Sequence, residues 1–216
     1  MDFERARRLM VEAQLRPFDI TDADLLDALR RTARERFVPA PLRSLAYSDQ
    51  DLEVYPGRRM LRPRVLGRLL QALDVKREDR ALEIAGGLGY GAAVLSHLAA
   101  EATLLESISQ LAVGARTALD SVGAGKVRVA ATDLRAGWRE GAPYDVILVQ
   151  VGVEVIPDAW LEQLAEGGRL ALVIREGFAG YARLITKFGG AISARSLFEV
   201  QVDVAPELER PRSFVF

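Results

Sequence analysis

The stretch Leu82-Glu83-Ile84-Ala85-Gly86-Gly87-Leu88-Gly89-Tyr90 decides how this chain folds. Residues 81–84 read as a strand, Gly86, Gly87 and Gly89 follow as a turn, and an apolar segment of helical length then runs to about Ala100. Glycines between a strand and a helix let the backbone turn sharply and approach a ligand closely. Gly87-Leu88-Gly89-Tyr90-Gly91-Ala92 also fits the nucleotide pattern G-x-G-x-x-G/A, a weak match by itself.

Outward from this turn the same alternation continues. Towards the C-terminus come a strand at 103–105, a helix at 110–119, a strand at 127–129 and a near-continuous apolar strand at 144–151. A short helix at 158–165, closed by Gly167-Gly168, leads to a strand at 170–174. Such alternation implies an α/β, Rossmann-like, doubly wound and mostly parallel sheet. The runs 182–186 and 192–202 have only Gly189-Gly190 between them and read as a hairpin, which predicts an antiparallel strand near the C-terminal edge.

Towards the N-terminus, Pro63 suits a first helical turn, and Val65, Leu66, Leu69, Leu70 and Leu73 repeat at helical spacing. Thr21 is the expected cap of an earlier helix carrying Leu25, Leu26, Ala28 and Leu29, and Pro39 and Pro41 end the helical region. Residues 46–57 read as extended and loop-like. The chain thus divides into an N-terminal helical extension with a substrate loop, 1–62, and a Rossmann-like cofactor domain, 63–216.

Half of the 216 residues are hydrophobic, enough for a large core. The net charge of -1 gives no basic excess for nucleic acid, so none is expected as a partner. The absence of cysteine excludes disulfides and thiolate chemistry. The single histidine, His97, lacks partner ligands and reads as a helix residue at the core edge or surface; no metal site is expected. Residues 1–16 carry Asp2, Glu4 and Glu12 among arginines, which is neither a leader nor a membrane span. A cytoplasmic protein without membrane contact is the expectation.

The acids choose the ligand. Glu83 comes off the strand just before the turn, where a carboxylate would repel a pyrophosphate but suits the ammonium group of S-adenosyl-L-methionine. Glu106 ends the next strand, in reach of both ribose hydroxyls, and Asp133 ends the one after, where it could accept from an adenine amino group. Each acid also has a plainer reading: Glu83 as a surface acid, Glu106 as a helix cap, Asp133 as a loop or cap residue. A nicotinamide-dependent dehydrogenase is disfavoured by Glu83.

Over nearly its whole length the sequence resembles the protein-L-isoaspartate O-methyltransferase family. Arg34-Glu35-Arg36-Phe37-Val38-Pro39 matches its R-E-[RK]-F-V-P run, and Ala46-Tyr47-Ser48-Asp49 its A-Y-x-D stretch. The segment from Leu82 to Tyr90 matches L-E-I-G-x-G-x-G-Y, with Ala85 in place of the first glycine. The run from Ala142 to Val149 matches A-P-[FY]-D-x-I-x-V; Ile156-Pro157 and the segment closing at Gly167-Gly168 match later elements.

The resemblance implies S-adenosyl-L-methionine as cofactor, a peptide or protein carboxylate as partner, and methyl transfer to the α-carboxylate of an isoaspartyl residue, which starts repair through a succinimide. It places Glu83, Ala85, Gly87, Gly89, Glu106, Asp133 and Gln150 at the cofactor. The family loop G-Q-T-I-S-Q-P is here Gly57-Arg58-Arg59-Met60-Leu61-Arg62-Pro63, so Leu61 stands where the family has the serine at the substrate carboxylate. A leucine donates no hydrogen bond, so isoaspartyl methylation is expected to be slow or absent. Arg58, Arg59 and Arg62 replace neutral residues and form either a solvated basic cluster or a guanidinium clamp for a carboxylate. Two alternatives stand beside repair: a methyltransferase of this fold acting on another anionic substrate, and a non-catalytic interaction module.

Overall fold

Asp2 starts the first helix, α1 (Phe3–Met10), by accepting a hydrogen bond from the Arg5 amide at 2.9 Å. This computed structural model describes residues 1–211 of the chain. A π turn over Val11–Leu15 carries α1 onward before α2 (Ala23–Arg31). Asp22, not Thr21, caps α2: its Oδ1 accepts from the Leu25 amide at 2.7 Å, while the Thr21 amide donates to the Gln71 side chain. Aspartate competes well for this role, and the residue spacing alone did not separate the two neighbours.

The family-like motifs of this region meet in space. Arg34 is fully buried and donates to the carbonyls of Ala46 and Leu61, both at 2.6 Å. Glu35 accepts from the Tyr47 hydroxyl, which in turn accepts from Arg7. These residues pin the segment between 34 and 61 against the body of the protein.

Residues 46–57 are not all loop. Strands β1 (Leu52–Tyr55) and β2 (Arg58–Met60) form a small antiparallel hairpin around Pro56 and Gly57, with Gly57 at φ +78°. Leu52, Val54, Arg58 and Met60 point inward. An arginine in one of the buried slots hides the period-2 apolar pattern that marks a strand.

The main sheet then builds as expected: α3 (Pro63–Leu73), β3 (Arg80–Ile84), α4 (Tyr90–Leu98), β4 (Glu101–Leu105), α5 (Ser109–Asp120), β5 (Arg128–Ala130), β6 (Tyr144–Val153), α6 (Asp158–Gln163), β7 (Leu164–Glu176), β8 (Ala179–Phe188) and β9 (Ala191–Glu199). The order across the sheet is β5-β4-β3-β6-β7-β8-β9. All pairings from β5 to β7 are parallel; β8 runs against its neighbours and makes the C-terminal edge an antiparallel meander. Helix α6 ends at Gln163, earlier than its apolar content suggested, because Leu164 already pairs with Tyr144.

Alternate strand residues face opposite sides of the sheet. Ala81, Val146 and Leu148 pack on one side with the N-terminal helices, α3 and α4; Leu82, Ile147 and Val149 pack on the other with Trp160 and Leu134. Residues 1–62 therefore share a core with one face of the sheet. Among the described residues no helix is long and apolar enough to cross a membrane.

Candidate cofactor and substrate site

Strand β3 is where the chain changes its direction of travel: β4 and β5 lie to one side, β6 and β7 to the other. In open parallel sheets, ligands bind at the carboxyl ends of the strands beside such a point. The sequence sets Glu83 near the end of β3, the glycine turn after it, Glu106 after β4 and Gln150 within β6 at that place.

The turn is wound left-handed at Ala85 (φ +56°), Gly87 (φ +61°) and Gly89 (φ +89°). Ala85 holds a conformation that favours glycine, at a cost of about 1–2 kcal/mol. It is one physical consequence of the exchanged family glycine.

Glu83 lies wholly inside, beneath the start of α4. Its Oε2 accepts from the Ala92 amide at 2.9 Å, and its Oε1 accepts from Gln150 Nε2. Burial pushes its carboxyl up to about 8, against the two hydrogen bonds that pull it down. Burial therefore favours the neutral form of Glu83, while the bonds from Ala92 and Gln150 favour the charged one. This burial works against the full negative charge that the sequence reading assigned to Glu83.

Glu106 is equally inaccessible, and its two oxygens are engaged. Oε2 accepts from the Gly87 amide at 3.0 Å; Oε1 accepts from the Ile108 amide and from Arg58 Nε, both at 3.1 Å. The same carboxylate thus ties the glycine turn to β4 and caps the entry to α5. Asp133 is exposed and accepts from the Arg135 amide at 3.0 Å, the geometry of a local cap.

The arginines do not converge as a clamp. Arg58 is buried against Glu106 and reaches Ser107 Oγ at 2.9 Å and Glu207 Oε1 at 2.6 Å. Arg59 pairs with Asp203 at 2.9 Å on the surface. Arg62 pairs with Asp51 at 3.0 Å, and its own amide donates to the same side chain. Each guanidinium has a carboxylate partner within the chain, and Arg58 is buried rather than part of a solvated basic cluster.

Leu61 is buried and borders a cavity of about 350 Å³ whose walls include Arg59, Gln150, Val151, Arg175 and Val204. Gln150 thus links Glu83 to this cavity, and its Oε1 has no hydrogen-bond partner among the described residues. Another cavity of about 380 Å³, between α2, α3 and α4, holds Asp22, Asp27 and the exposed His97 but none of these residues.

Sequence reasoning missed Glu207, Ser107 and Val54. Glu207 meets Arg58 across 149 positions, with no local pattern to mark it. Val54 closes over the turn: a Cβ on Gly87 would stand 3.1 Å from its methyl.

The chemistry of the donors fits a ligand with hydroxyls and an amino-acid end. Glu106 is a hydroxyl acceptor beside a glycine turn, and Gln150 has an orphan carbonyl next to Glu83. With β3 at the switch point and β8 reversed beside the edge strand β9, this arrangement defines the class I methyltransferase fold.

Comparison with known proteins narrows the class. The sequence model of the family protein-L-isoaspartate(D-aspartate) O-methyltransferase matches residues 5–204. The chain is 41% identical over 173 residues to protein-L-isoaspartate O-methyltransferase 2 of Marinobacter nauticus, covering 80% of this chain and 79% of that one. It is 39% identical over 204 residues to protein-L-isoaspartate O-methyltransferase of Opitutus terrae, covering 92% and 88%. A solved protein-L-isoaspartate O-methyltransferase superposes with a TM-score of 0.81 at 26% identity, over 95% of this chain and 67% of that one. A putative Plasmodium falciparum protein-L-isoaspartate O-methyltransferase, solved in complex with S-adenosyl-L-homocysteine, shares the fold with a TM-score of 0.81 at 18% identity, over 93% of this chain and 98% of that one. The chain belongs to the protein-L-isoaspartate(D-aspartate) O-methyltransferase family.

Proposed function

We propose that this protein transfers a methyl group from S-adenosyl-L-methionine to a carboxylate of a peptide or protein, with an isoaspartyl residue as acceptor. One observation carries the reading: the Gly87 amide donates to Glu106, which joins the glycine turn and a strand-end carboxylate into a single site at the switch point. When bound, the cofactor supplies an electrophilic methyl on a sulfonium.

The chain's own residues bind and align. Glu106 accepts from the ribose hydroxyls. Glu83 and Gln150 face the amino-acid end, where a ligand ammonium would favour the charged form of Glu83. Asp133, after β5, is the residue for the adenine amino group. The cavity beside Leu61 and Gln150 receives the acceptor. A carboxylate is ionised at neutral pH, with a usual pKa of about 4, so no general base is required. What remains for the protein is to hold both reactants in line and exclude water. Leu61 contributes an apolar wall and no donor, which leaves Arg59 and Arg175 as donors on that cavity, with Gln150 Oε1 as an acceptor.

The test is transfer of labelled methyl to an isoaspartyl peptide, with the aspartyl peptide as control. Ester formation on the first and not the second is the expected result. A second reading, another anionic acceptor, is favoured by Leu61 at the serine position. Label reaching other acidic proteins but not the isoaspartyl peptide would select it.

A further inference from the structure

Arg58 occupies a site that the proposed function needs. Its Nε takes an Oε1 lone pair of Glu106, the carboxylate assigned to the ribose. Its other nitrogens are held in turn. Nη2 donates to Ser107 and to Glu207, and the Ser107 hydroxyl donates to Glu207 at 2.9 Å. The result is a closed cluster of one cation and two carboxylates, with the Arg58 and Glu106 side chains no more than 2% exposed.

Glu207 belongs to a strap, residues 203–210, laid over the carboxyl ends of the strands. The Gly152 amide donates to Asp203 at 2.8 Å, the Ala205 amide donates back to Gly152 at 3.2 Å, and the Glu154 amide donates to Leu208 at 3.0 Å. Arg135, two residues beyond Asp133, donates to the carbonyls of Glu207 and Glu209. From the other side the β1–β2 hairpin lays Val54 on Gly87. Hairpin and strap reach each other through Arg58 and Glu207.

Glu106 has three of its roughly four lone-pair positions engaged and no contact with water, so it cannot accept from both ribose hydroxyls while Arg58 holds Oε1. Yet the ion pair is not a fixed part of the core. Glu207 is 34% exposed, so water has access to one end of the cluster. Arg58 Nη1 donates to the Gly57 carbonyl at the hairpin tip at 3.0 Å, so the guanidinium is anchored to the hairpin as well as to the strap.

We infer that Arg58 is an internal competitor for the cofactor's ribose carboxylate, latched by Glu207, so that cofactor binding is an exchange in which Arg58 and the 203–210 strap must leave Glu106. This rests on the proposed cofactor reading. The apparent affinity is then the open-site affinity reduced by the fraction of molecules that are open. Loosening the latch raises that fraction without adding a contact to the ligand.

The test uses the full chain and S-adenosyl-L-homocysteine. Calorimetric titration compares wild type, Arg58→Gln and Glu207→Gln; Glu207→Gln alters the exposed end of the cluster and guards against a folding failure in the other. Hydrogen exchange follows the amides of Gly152, Glu154 and Ala205, which bond the strap. The expected result is tighter binding in both variants, by about tenfold in Arg58→Gln. The three amides should also exchange faster in both ligand-free variants, and in wild type once ligand is added. Equal or weaker binding in both folded variants, or strap amides indifferent to ligand and to Glu207→Gln, overturns the latch. Binding by wild type with no change in the variants removes the latch and leaves the cofactor reading standing. Binding only by Arg58→Gln supports the latch. No binding by any of the three overturns it, and methyl transfer then decides the cofactor reading on its own.

Discussion

Arg58 Nε and Glu106 Oε1 lie 3.1 Å apart, and neither side chain is more than 2% exposed. Removing Arg58 leaves the buried Glu106 carboxylate without its counter-charge, which costs about 3–5 kcal/mol, whereas removing Glu106 leaves Arg58 still paired with Glu207. Removing both leaves neutral groups that are easier to bury. Urea unfolding of Arg58→Gln, Glu106→Gln and the double variant should therefore show the double to be more stable than the sum of the singles implies, with a coupling of about 1–3 kcal/mol. Additive losses would mean that the two side chains do not depend on one another.

The same double variant isolates the ribose contact. In the Arg58→Gln background Glu106 has lost its internal cation, so Glu106→Gln tests the carboxylate's contacts with the ligand together with its bonds to the Gly87 and Ile108 amides. Affinity for S-adenosyl-L-homocysteine should fall by about 1–3 kcal/mol, the worth of hydrogen bonds to a charged group. Unchanged affinity would remove Glu106 from the ribose.

Glu83 predicts a pH dependence. Its carboxyl is raised from an ordinary 4.5 to about 8 in the folded chain, mainly by burial. Between those values the folded state binds more protons than the unfolded one, so this group makes stability fall as pH rises. The slope approaches about 1.4 kcal/mol per pH unit at most. Glu83→Gln keeps the shape and cannot ionise. Urea midpoints from pH 5 to pH 8 should decline more steeply for wild type than for this variant. Parallel profiles would place an ionised Glu83 in the folded protein.

The alternation around Glu83 gave the fold its legibility. Period-2 apolar runs and a glycine turn are local signals, and β3 to β7 followed from them. The carboxylates were legible too, because each stands at the end of such a run. What they bond to was not. Whether Glu106 meets a ribose or Arg58 depends on a hairpin whose buried slot is filled by a cation, and on Glu207, which lies 149 positions away. The burial of Glu83 was hidden for a related reason: its placement at a strand end was readable, but its complete enclosure by α4 and Gln150 was a tertiary fact.

Gly91 marks that enclosure. A Cβ there would stand 1.9 Å from Glu83 Oε1 and 2.6 Å from Gln150 Nε2. Both side chains are buried and bonded, so neither can step aside freely. Gly91→Ala should destabilise the protein by about 1–3 kcal/mol, the usual cost of overpacking, although alanine favours a helix. A more stable variant would mean that Glu83 lies elsewhere.

Leu61 carries the prediction about rate. Leu61→Ser restores a hydroxyl donor on the acceptor cavity and removes a buried apolar side chain. The variant should lose about 2–4 kcal/mol of stability and gain turnover on an isoaspartyl peptide. Methyl-ester formation at a temperature where both proteins stay folded checks this. A folded Leu61→Ser enzyme no faster than wild type would show that another group already supplies the donor.

The most direct measurement is calorimetric titration of S-adenosyl-L-homocysteine into the unaltered protein. If the cofactor crevice is bordered by Glu83, the turn at Gly87, Glu106 and Gln150, saturable binding at one site per chain is expected. A flat titration in wild type, repeated in Arg58→Gln where the internal competitor is gone, would contradict the assignment of this crevice to the cofactor.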